Sequence, residues 1–165
     1  MFLAGLDTVA SAMGLVVKTF AEQPQKRREF VELMDDPRRV ALAIEELIRY
    51  HAIELLPRLV VESTRFKGIH FHAEDQVICP TMAANRDPGQ FENPDELVFD
   101  RVPNRHMGFG HGPHRCLGIH LARREMCIGL QVMHRRLPDY ELHPDRKPEL
   151  FAGIKGASSL WLRKA

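Results

Sequence analysis

The sequence of 165 residues predicts a mainly α fold with small antiparallel β sheets, an α+β chain forming one domain. Apolar residues recur at helical spacing over residues 1–22, over residues 36–50 and after residue 116. Short runs with β-sheet composition, separated by turn signals, fill residues 58–79. The composition, 44% hydrophobic and 27% charged, is that of a soluble globular protein with a sizeable core. We expect no separate second domain.

Charge and cysteine content narrow the classes of protein to consider. The net charge of +1 argues against nucleic-acid binding, which needs an excess of positive charge. The apolar run from Met1 to Phe20 is interrupted by Asp7 and Lys18, so we expect a buried helix, with no signal peptide or membrane span. Three cysteines cannot all pair, and their spacing forms no disulfide framework. These features favour a reducing cytoplasm.

The N-terminal third of the chain predicts three helices. The first ends before Pro24, because the residue that precedes a proline is disfavoured in the α region. The second is amphipathic and spans Gln25 to Met34. The third begins with Asp36 as its N-cap and Pro37 in the first helical position, and it continues through Tyr50.

The strands are predicted to form small antiparallel sheets, with turns at Lys67-Gly68 and Glu74-Asp75. The predicted strands span Arg58 to Ser63, Ile69 to Phe71, Gln76 to Cys79, Tyr140 to Leu142 and Leu160 to Leu162. A short helix starting at Thr81 should stop at Pro88, and the irregular segment 89–107 that follows is long enough to indicate a functional role. Residues 153–158 predict a glycine-rich turn.

Cys116 lies on a glycine-rich loop, at or near the start of a predicted helix. That helix is indicated by apolar residues at helical spacing, namely Leu117, Leu121, Ile128 and Val132. A helix N-terminus favours an anion, so it stabilises a thiolate suited to binding a metal. Gly110 and Gly112 allow a tight turn, and Gly118 leaves room for a flat macrocycle. The alternative is that Cys116 is a small buried hydrophobic residue.

Residues 109–118 resemble the cysteine loop of the cytochromes P-450, Phe-Gly-x-Gly-x-His/Arg-x-Cys-x-Gly, at every fixed position. The resemblance implies a haem b cofactor, with Cys116 as its axial iron ligand. It also implies that Phe109 packs near the sulfur and that His114 binds a haem propionate. Gly110 and Gly118 would lie beside the cofactor.

The segment Ala4 to Val9 resembles the distal-helix signature of the same family, Ala/Gly-Gly-x-Asp/Glu-Thr. By resemblance, Asp7 and Thr8 form the acid and alcohol pair that relays protons during oxygen activation. The alternative is that Asp7 resembles an N-cap and that Thr8 is an ordinary helix residue.

Glu46 and Arg49 resemble the Glu-x-x-Arg pair of the family, and Arg101 is the candidate for the arginine that completes it. Two guanidiniums can satisfy a buried carboxylate with charge-assisted hydrogen bonds. As an isolated pattern, Glu46 and Arg49 could equally be an exposed ion pair on one helix face.

Other segments extend the resemblance along the chain. Arg58 resembles an arginine that binds a haem propionate, and an exposed strand arginine is an equally good interpretation. Residues 53–56 would face the distal pocket and help to select the substrate. Residues 89–107 resemble the meander, and residues 121–125 resemble the continuation of the proximal helix.

The resemblance covers the whole chain but only the C-terminal part of the family, from the distal helix to the proximal helix and beyond. It implies a bacterial, soluble monooxygenase that hydroxylates a small organic substrate with O2 and electrons from NAD(P)H. A ferredoxin or flavodoxin would deliver the electrons at a face near Arg115, Arg123 and Arg124. We expect this chain to be a truncated and inactive fragment of such an enzyme.

A metal-binding or interaction module without oxygen chemistry is the alternative from another class. The histidines and the cysteine that could hold zinc are His106, His111, His114, Cys116 and His120. Their spacing is unlike the usual paired zinc-ligand motifs, and zinc would not explain the glycines or Phe109. Optical spectra separate the two hypotheses, because zinc does not absorb where haem does.

Overall fold

The computed structural model describes residues 2–151 and 156–165. Within them the fold is mainly α with small antiparallel sheets, which confirms the predicted class. The α-helices are α1 (Phe2–Glu22), α2 (Pro24–Leu33), α3 (Pro37–His51), α4 (Thr81–Ala84) and α5 (Ile119–Arg136). The strands are β1 (Leu55–Leu59), β2 (Thr64–Phe66), β3 (Ile69–Phe71), β4 (Gln76–Pro80), β5 (Tyr140–Leu142), β6 (Glu149–Phe151), β7 (Gly156–Ser159) and β8 (Leu162–Lys164).

The first three helices begin and end close to the predicted positions. The side chain of Asp36 caps α3, because its Oδ1 accepts hydrogen bonds from the backbone N–H groups of Arg38 and Arg39 at 2.9 and 3.1 Å. Asp7 lies inside α1, well after its start at Phe2, so the N-cap alternative for Asp7 is wrong. None of the described helices has the length and apolar character needed to cross a membrane.

Four antiparallel two-stranded ladders form, pairing β1 with β4, β2 with β3, β5 with β8, and β6 with β7. The predicted strand from Arg58 to Ser63 is displaced, because pairing with β4 places Leu55 opposite Pro80 and ends the ladder at Leu59. Lys67 and Gly68 both have positive φ, at 47° and 83°, and form the tight hairpin turn between β2 and β3.

The C-terminal strands also differ from the prediction. β5 has the predicted bounds, whereas its partner β8 lies two residues later than the predicted strand that begins at Leu160. Residues 153–155 of the predicted glycine-rich turn lie outside the described residues, and residues 156–158 belong to β7. A Cβ atom at Gly156 would lie 2.7 Å from the Ser11 hydroxyl oxygen, so β7 packs directly on α1.

The core lies among α1, α2, α3 and α5. Phe20 and Phe30 are buried with ring centroids 5.3 Å apart, and the His134 ring lies 5.5 Å from that of Phe20. His134 donates through Nδ1 to the Leu130 carbonyl at 2.7 Å and accepts at Nε2 from the Tyr140 hydroxyl at 3.1 Å. Burial lowers the pKa of His134, so the imidazole is held neutral in the core.

Helix α5 has two apolar faces, and only one of them is buried. The buried residues are Ile119, Met126, Leu130 and His134. Leu121, Ile128 and Val132, whose spacing predicts the helix, lie on the other side and are 58%, 44% and 42% exposed, and Leu117, which precedes α5, is 81% exposed. Periodicity thus locates α5 correctly, but it does not identify the face that contacts the core.

Candidate functional site

A cavity of about 420 Å³ lies between α1, the end of α3, β1 and the loop before α5. This volume falls within the range of about 300–1,000 Å³ that is typical of small-molecule and cofactor sites. Eight residues are predicted to serve catalysis or cofactor binding, and six of them line the cavity: Thr8, Phe109, Gly110, His114, Cys116 and Gly118. Most of the remaining wall is apolar, including Val9, Ala12, Ile48, Leu56 and Leu121.

The other two predicted residues lie outside this cavity. Asp7 is exposed on α1, one residue before Thr8. Arg58 is on β1, where its Nη1 donates to the carbonyl of Pro57 at 2.7 Å. Geometry therefore separates Thr8, which faces the cavity, from Asp7 and Arg58, which do not.

Backbone hydrogen bonds fix the shape of the loop that carries Cys116. The Cys116 N–H donates to the Phe109 carbonyl at 2.9 Å, and the Gly110 N–H donates to the Met107 carbonyl at 2.9 Å. Gly110 and Gly112 have φ values of +67° and +71°, a region that strongly favours glycine. The two glycines thus permit the turn that brings Cys116 back beside Phe109.

Cys116 is exposed and precedes the first residue of α5 by three positions, with Gly118 as the N-cap. The alternative of a buried hydrophobic cysteine is therefore wrong. A Cβ atom at Gly118 would lie 3.9 Å from the Cys116 sulfur, so the sulfur lies beside the glycine backbone. An exposed thiol, flanked by glycines and facing an apolar cavity, suits a single axial sulfur ligand to a flat macrocycle.

The segment that enters the cysteine loop packs closely against α3. A Cβ atom at Gly108 would lie 2.7 Å from Cγ2 of Ile48 and 3.1 Å from Nδ1 of His106. No side chain fits there without displacing one of these neighbours. Gly108 thus allows the loop to contact the end of α3.

Glu46, Arg49 and Arg101 come together in a buried charge network. Arg49 binds the Glu46 carboxylate through two nitrogens, with Nε to Oε2 and Nη2 to Oε1 both at 2.8 Å. Nε of Arg101 lies 3.0 Å from Oε2. The backbone N–H of Val98 and the side chain of Asn104 supply two further donors to the same carboxylate, at 2.9 and 3.1 Å. The exposed surface pair, the other interpretation of Glu46 and Arg49, is excluded because both side chains are fully buried.

Residues 85–88 resemble a segment typical of bacterial members of the family, but only the structure shows the structural role of Asn85. Its Nδ2 donates to the Arg49 carbonyl at 3.1 Å, and its Oδ1 accepts from the Met107 N–H at 2.7 Å. The Asn85 carbonyl accepts from Nη1 of Arg49 at 2.8 Å. This fully buried asparagine joins α3 to the segment that enters the cysteine loop.

A second charge network contains Glu45, His106 and Arg123. Arg123 binds Glu45 through Nε to Oε1 at 2.5 Å and through Nη2 to Oε2 at 2.7 Å. Nε2 of His106 lies 3.0 Å from Oε2. Burial alone would raise the pKa of Glu45, but the hydrogen bonds from His106 and Arg123, together with the positive charge of Arg123, outweigh burial and lower the pKa to about 2.

His51 is another residue of the cavity wall that sequence reasoning does not identify. Its Nε2 is buried and has no hydrogen-bond partner among the described residues. Burial lowers the pKa of His51 to about 3, with further lowering by the positive charges of Arg86 and Lys18. The imidazole is thus neutral at ordinary pH.

The zinc alternative is not favoured by the geometry. Across the described ranges, 2–151 and 156–165, His, Cys, Asp and Glu side chains form no group of three or more that could hold a metal ion. Both ring nitrogens of His106 are already engaged, with the Glu45 carboxylate and with the Gly108 N–H at 3.1 Å. Of the candidate ligands, His114 and Cys116 line the apolar cavity, and two side chains are too few for a structural zinc site.

Comparison with known proteins shows what this arrangement is similar to. The chain is 39% identical over 161 residues to the probable cytochrome P450 127A1 of Sinorhizobium fredii, an alignment covering 97% of this chain and 38% of that protein. It is 37% identical to the mycinamicin IV hydroxylase/epoxidase of Micromonospora griseorubida, covering 86% of this chain and 36% of the relative. The chain therefore spans less than half the length of these relatives.

Solved structures show the same relationship. The cytochrome P450 PksS of Bacillus subtilis superposes with a TM-score of 0.88 at 35% identity, over 99% of this chain and 43% of that structure. CYP109E1 from Bacillus megaterium, solved with testosterone, superposes with a TM-score of 0.87 at 30% identity, over 98% of this chain and 45% of that structure. The family model for cytochrome P450 matches residues 39–153, well over half of the sequence. The chain belongs to the cytochrome P450 family.

Proposed function

We propose that this chain is the cysteine-loop part of a haem-thiolate monooxygenase that hydroxylates a small organic molecule. The observation that carries the proposal is that Cys116 lies on the wall of an apolar cavity, in a loop whose hydrogen bonds and glycines fix the backbone around the sulfur. The cofactor is haem b, which supplies the oxygen chemistry that turns RH and O2, with two electrons and two protons, into ROH and water.

Different residues of the chain would bind different parts of this cofactor. Cys116 would provide the sulfur ligand of the haem iron, while Phe109, Gly110 and Gly118 would shape the cavity wall that contacts the cofactor. His114, exposed at the edge of the cavity, can bind a propionate. Arg58 could bind a propionate through its remaining N–H groups, because only its Nη1 is engaged with the Pro57 carbonyl, at 2.7 Å.

Proton delivery is assigned to the residues on the α1 wall. The Thr8 side chain lines the cavity, and Asp7 is exposed to solvent beside it. In this arrangement the Asp7 carboxyl exchanges a proton with water, and the Thr8 hydroxyl holds and passes a proton on the cavity side. The pair can act in sequence because its two members face different environments.

The electron donor is proposed to be a ferredoxin or flavodoxin that takes electrons from NAD(P)H. Arg115 and Arg124 are exposed near the cysteine loop and can steer an acidic partner. Arg123 is removed from this docking set, because Glu45 already binds its guanidinium. All three cysteines are free thiols, which suits a reducing cytoplasm.

Activity is proposed for the whole enzyme and not for residues 1–165 alone. Leu117 and Leu121 line the cavity and are largely exposed, so the cavity is open to water on this side. Oxygen chemistry coupled to product needs a site from which water is excluded. We therefore propose that the 165 residues by themselves are inactive.

The test is the absorption spectrum of the haem-reconstituted, reduced protein under carbon monoxide. A thiolate ligand shifts the Soret band strongly to the red, and zinc would give no such band. Cys116→Ser should abolish the shifted band, while the matched variants Cys79→Ser and Cys127→Ser should keep it. Equal spectra for all three variants would contradict the assignment of Cys116.

A further inference from the structure

We propose that Glu45, His106 and Arg123 form a latch that positions Phe109 and, through it, the backbone of Cys116. All three are positioning residues, since each acts through other groups on the sulfur. The inference rests on the proposed function, in which Cys116 must be presented to a haem. It assigns the Arg123 guanidinium a partner within the protein, in contrast to the docking role predicted from the sequence.

The latch joins three parts of the chain that are distant in sequence. Glu45 is on α3, Arg123 is on α5, and His106 lies in the segment that leads into the cysteine loop. Glu45 is 61 residues from His106 and 78 residues from Arg123 along the sequence. A bidentate contact between carboxylate and guanidinium fixes the orientation of both groups as well as their separation.

Hydrogen bonding assigns the proton on the His106 ring. The Gly108 N–H donates to Nδ1 at 3.1 Å, so Nδ1 acts as the acceptor. A neutral ring then carries its proton on Nε2 and donates it to the Glu45 carboxylate at 3.0 Å. His106 is nearly inaccessible, with 4% of its side chain exposed, so water competes little for these bonds. The ring thus connects the backbone of Gly108 to α3.

Phe109 is held from two sides by the same groups. The guanidinium carbon of Arg123 lies 5.2 Å from the centroid of the Phe109 ring, within the range of a cation–π contact. The His106 ring centroid lies 5.9 Å away. The Phe109 carbonyl accepts the hydrogen bond from the Cys116 N–H at 2.9 Å. Displacing Phe109 therefore displaces the backbone that carries the sulfur.

Two other arginines of α5 provide control substitutions for the latch residues. Arg124 follows Arg123 on α5 but is exposed, and its side chain makes no ion pair or hydrogen bond within residues 2–151 and 156–165. Arg135, also on α5, pairs with Asp35 at 2.5 Å on the exposed surface, far along the helix from the loop. Loss of Arg135 thus removes a contact between elements without touching the latch.

The first measurement is hydrogen exchange of the loop amides in the cofactor-free chain. Arg123→Gln and Glu45→Gln should each speed the exchange of the Gly110 and Cys116 amides by roughly tenfold, the effect of losing one charge-assisted hydrogen bond on local opening. Arg124→Gln and Arg135→Gln should leave these amides unchanged. If Arg123→Gln unfolds the chain, as circular dichroism would show, Glu45→Gln decides the result.

The second measurement is the carbonyl spectrum of the haem-reconstituted, reduced variants, which a purely structural contact would not move. Arg123→Gln should lower the fraction of the red-shifted band, and Arg123→Lys, which keeps the charge, should restore part of it. Exchange rates at the wild-type value in both latch variants would overturn the latch. A wild-type protein without the red-shifted band would instead overturn the proposed function, and the exchange rates would still decide on the latch.

Discussion

Nε of Arg101 lies 3.0 Å from Oε2 of Glu46, although 55 residues separate them in the sequence. The carboxylate is fully buried, and Arg101 is only 8% exposed. Arg49 approaches the same carboxylate from its own helix. Two guanidiniums and neutral donors thus surround one negative charge. Removal of any one charged group would leave another buried charge without its partner.

Substitution of Glu46, Arg49 or Arg101 by alanine should destabilise the chain severely. Each single change should lower the free energy of unfolding by roughly 3–5 kcal/mol, because the remaining charges stay buried. Pairwise combinations should lose less than the sum of the single losses, because the second change removes a group already left unpaired. Urea denaturation followed by circular dichroism measures both quantities.

The exposed pair of Arg135 and Asp35 is the control for this network. Alanine at either position should cost less than about 1 kcal/mol, as is usual for surface ion pairs. If the Glu46 network gave losses that were equally small and additive, it would not act as one buried unit.

Asn85→Ala should also destabilise the protein, through the groups that it leaves without partners. The substitution removes the acceptor of the Met107 N–H and the donor to the Arg49 carbonyl. Each unsatisfied buried group costs about 1–3 kcal/mol. Thermal denaturation should therefore show a clear loss for Asn85→Ala and almost none for Gln90→Ala, which shortens an exposed amide side chain in the following loop. Equal melting temperatures for the two variants would contradict this role.

The sequence predicts which helices and strands form better than it predicts which of their faces are buried and how they pair. Asp36 and Pro37 carry a local signal, a cap followed by a proline, and the start of α3 agrees with it. The apolar faces of α5 carry no such signal, because Leu121 and Leu130 have the same chemistry and only tertiary packing decides which is buried. Strand β1 is similarly set by its pairing with β4.

The site residues likewise fall into two groups: those that a local sequence motif predicts, and those that come together only when the chain folds. Gly110, Cys116 and Gly118 lie in one continuous motif, and all three line one cavity. Glu45 and His106 meet only after the chain folds, so no local pattern marks their contact. Asp7 and Thr8 are adjacent in sequence, yet the helix turns one toward solvent and the other toward the cavity.

The neutral His51 should make the protein less stable at acidic pH. Its pKa is lowered from 6.5 to about 3 in the folded chain, so the unfolded chain binds more protons between these values. Stability should therefore fall as pH decreases from 6.5 towards 3, with a slope of up to about 1.4 kcal/mol per pH unit from this group. Urea denaturation at several pH values measures the slope.

His51→Gln should flatten this pH dependence, because it removes the group that the unfolded chain protonates. The control is His111→Gln, which replaces an exposed histidine of the cysteine loop and should leave the His51 contribution in place. His134 also has a lowered pKa, so some slope should persist in every variant. An unchanged slope in His51→Gln would show that this ring is not held neutral.

The last prediction concerns residues 1–165 supplied with haem, NAD(P)H and a ferredoxin or flavodoxin system. We expect weak haem retention, together with NAD(P)H consumption that yields peroxide in place of hydroxylated product. The cavity wall formed by Leu117 and Leu121 is open, so water reaches the site, and protons arrive without the order that coupled turnover requires. The exposed apolar side of α5 should also promote association of the chains.

The measurement is the ratio of product formed to NAD(P)H consumed across a panel of small organic substrates. Cys116→Ser serves to subtract the chemistry of loosely bound haem, and the longer Sinorhizobium fredii relative is assayed in parallel. Stoichiometric, tightly bound haem with coupled turnover would show that the chain closes its cavity by other means, for example by pairing two copies across the open wall.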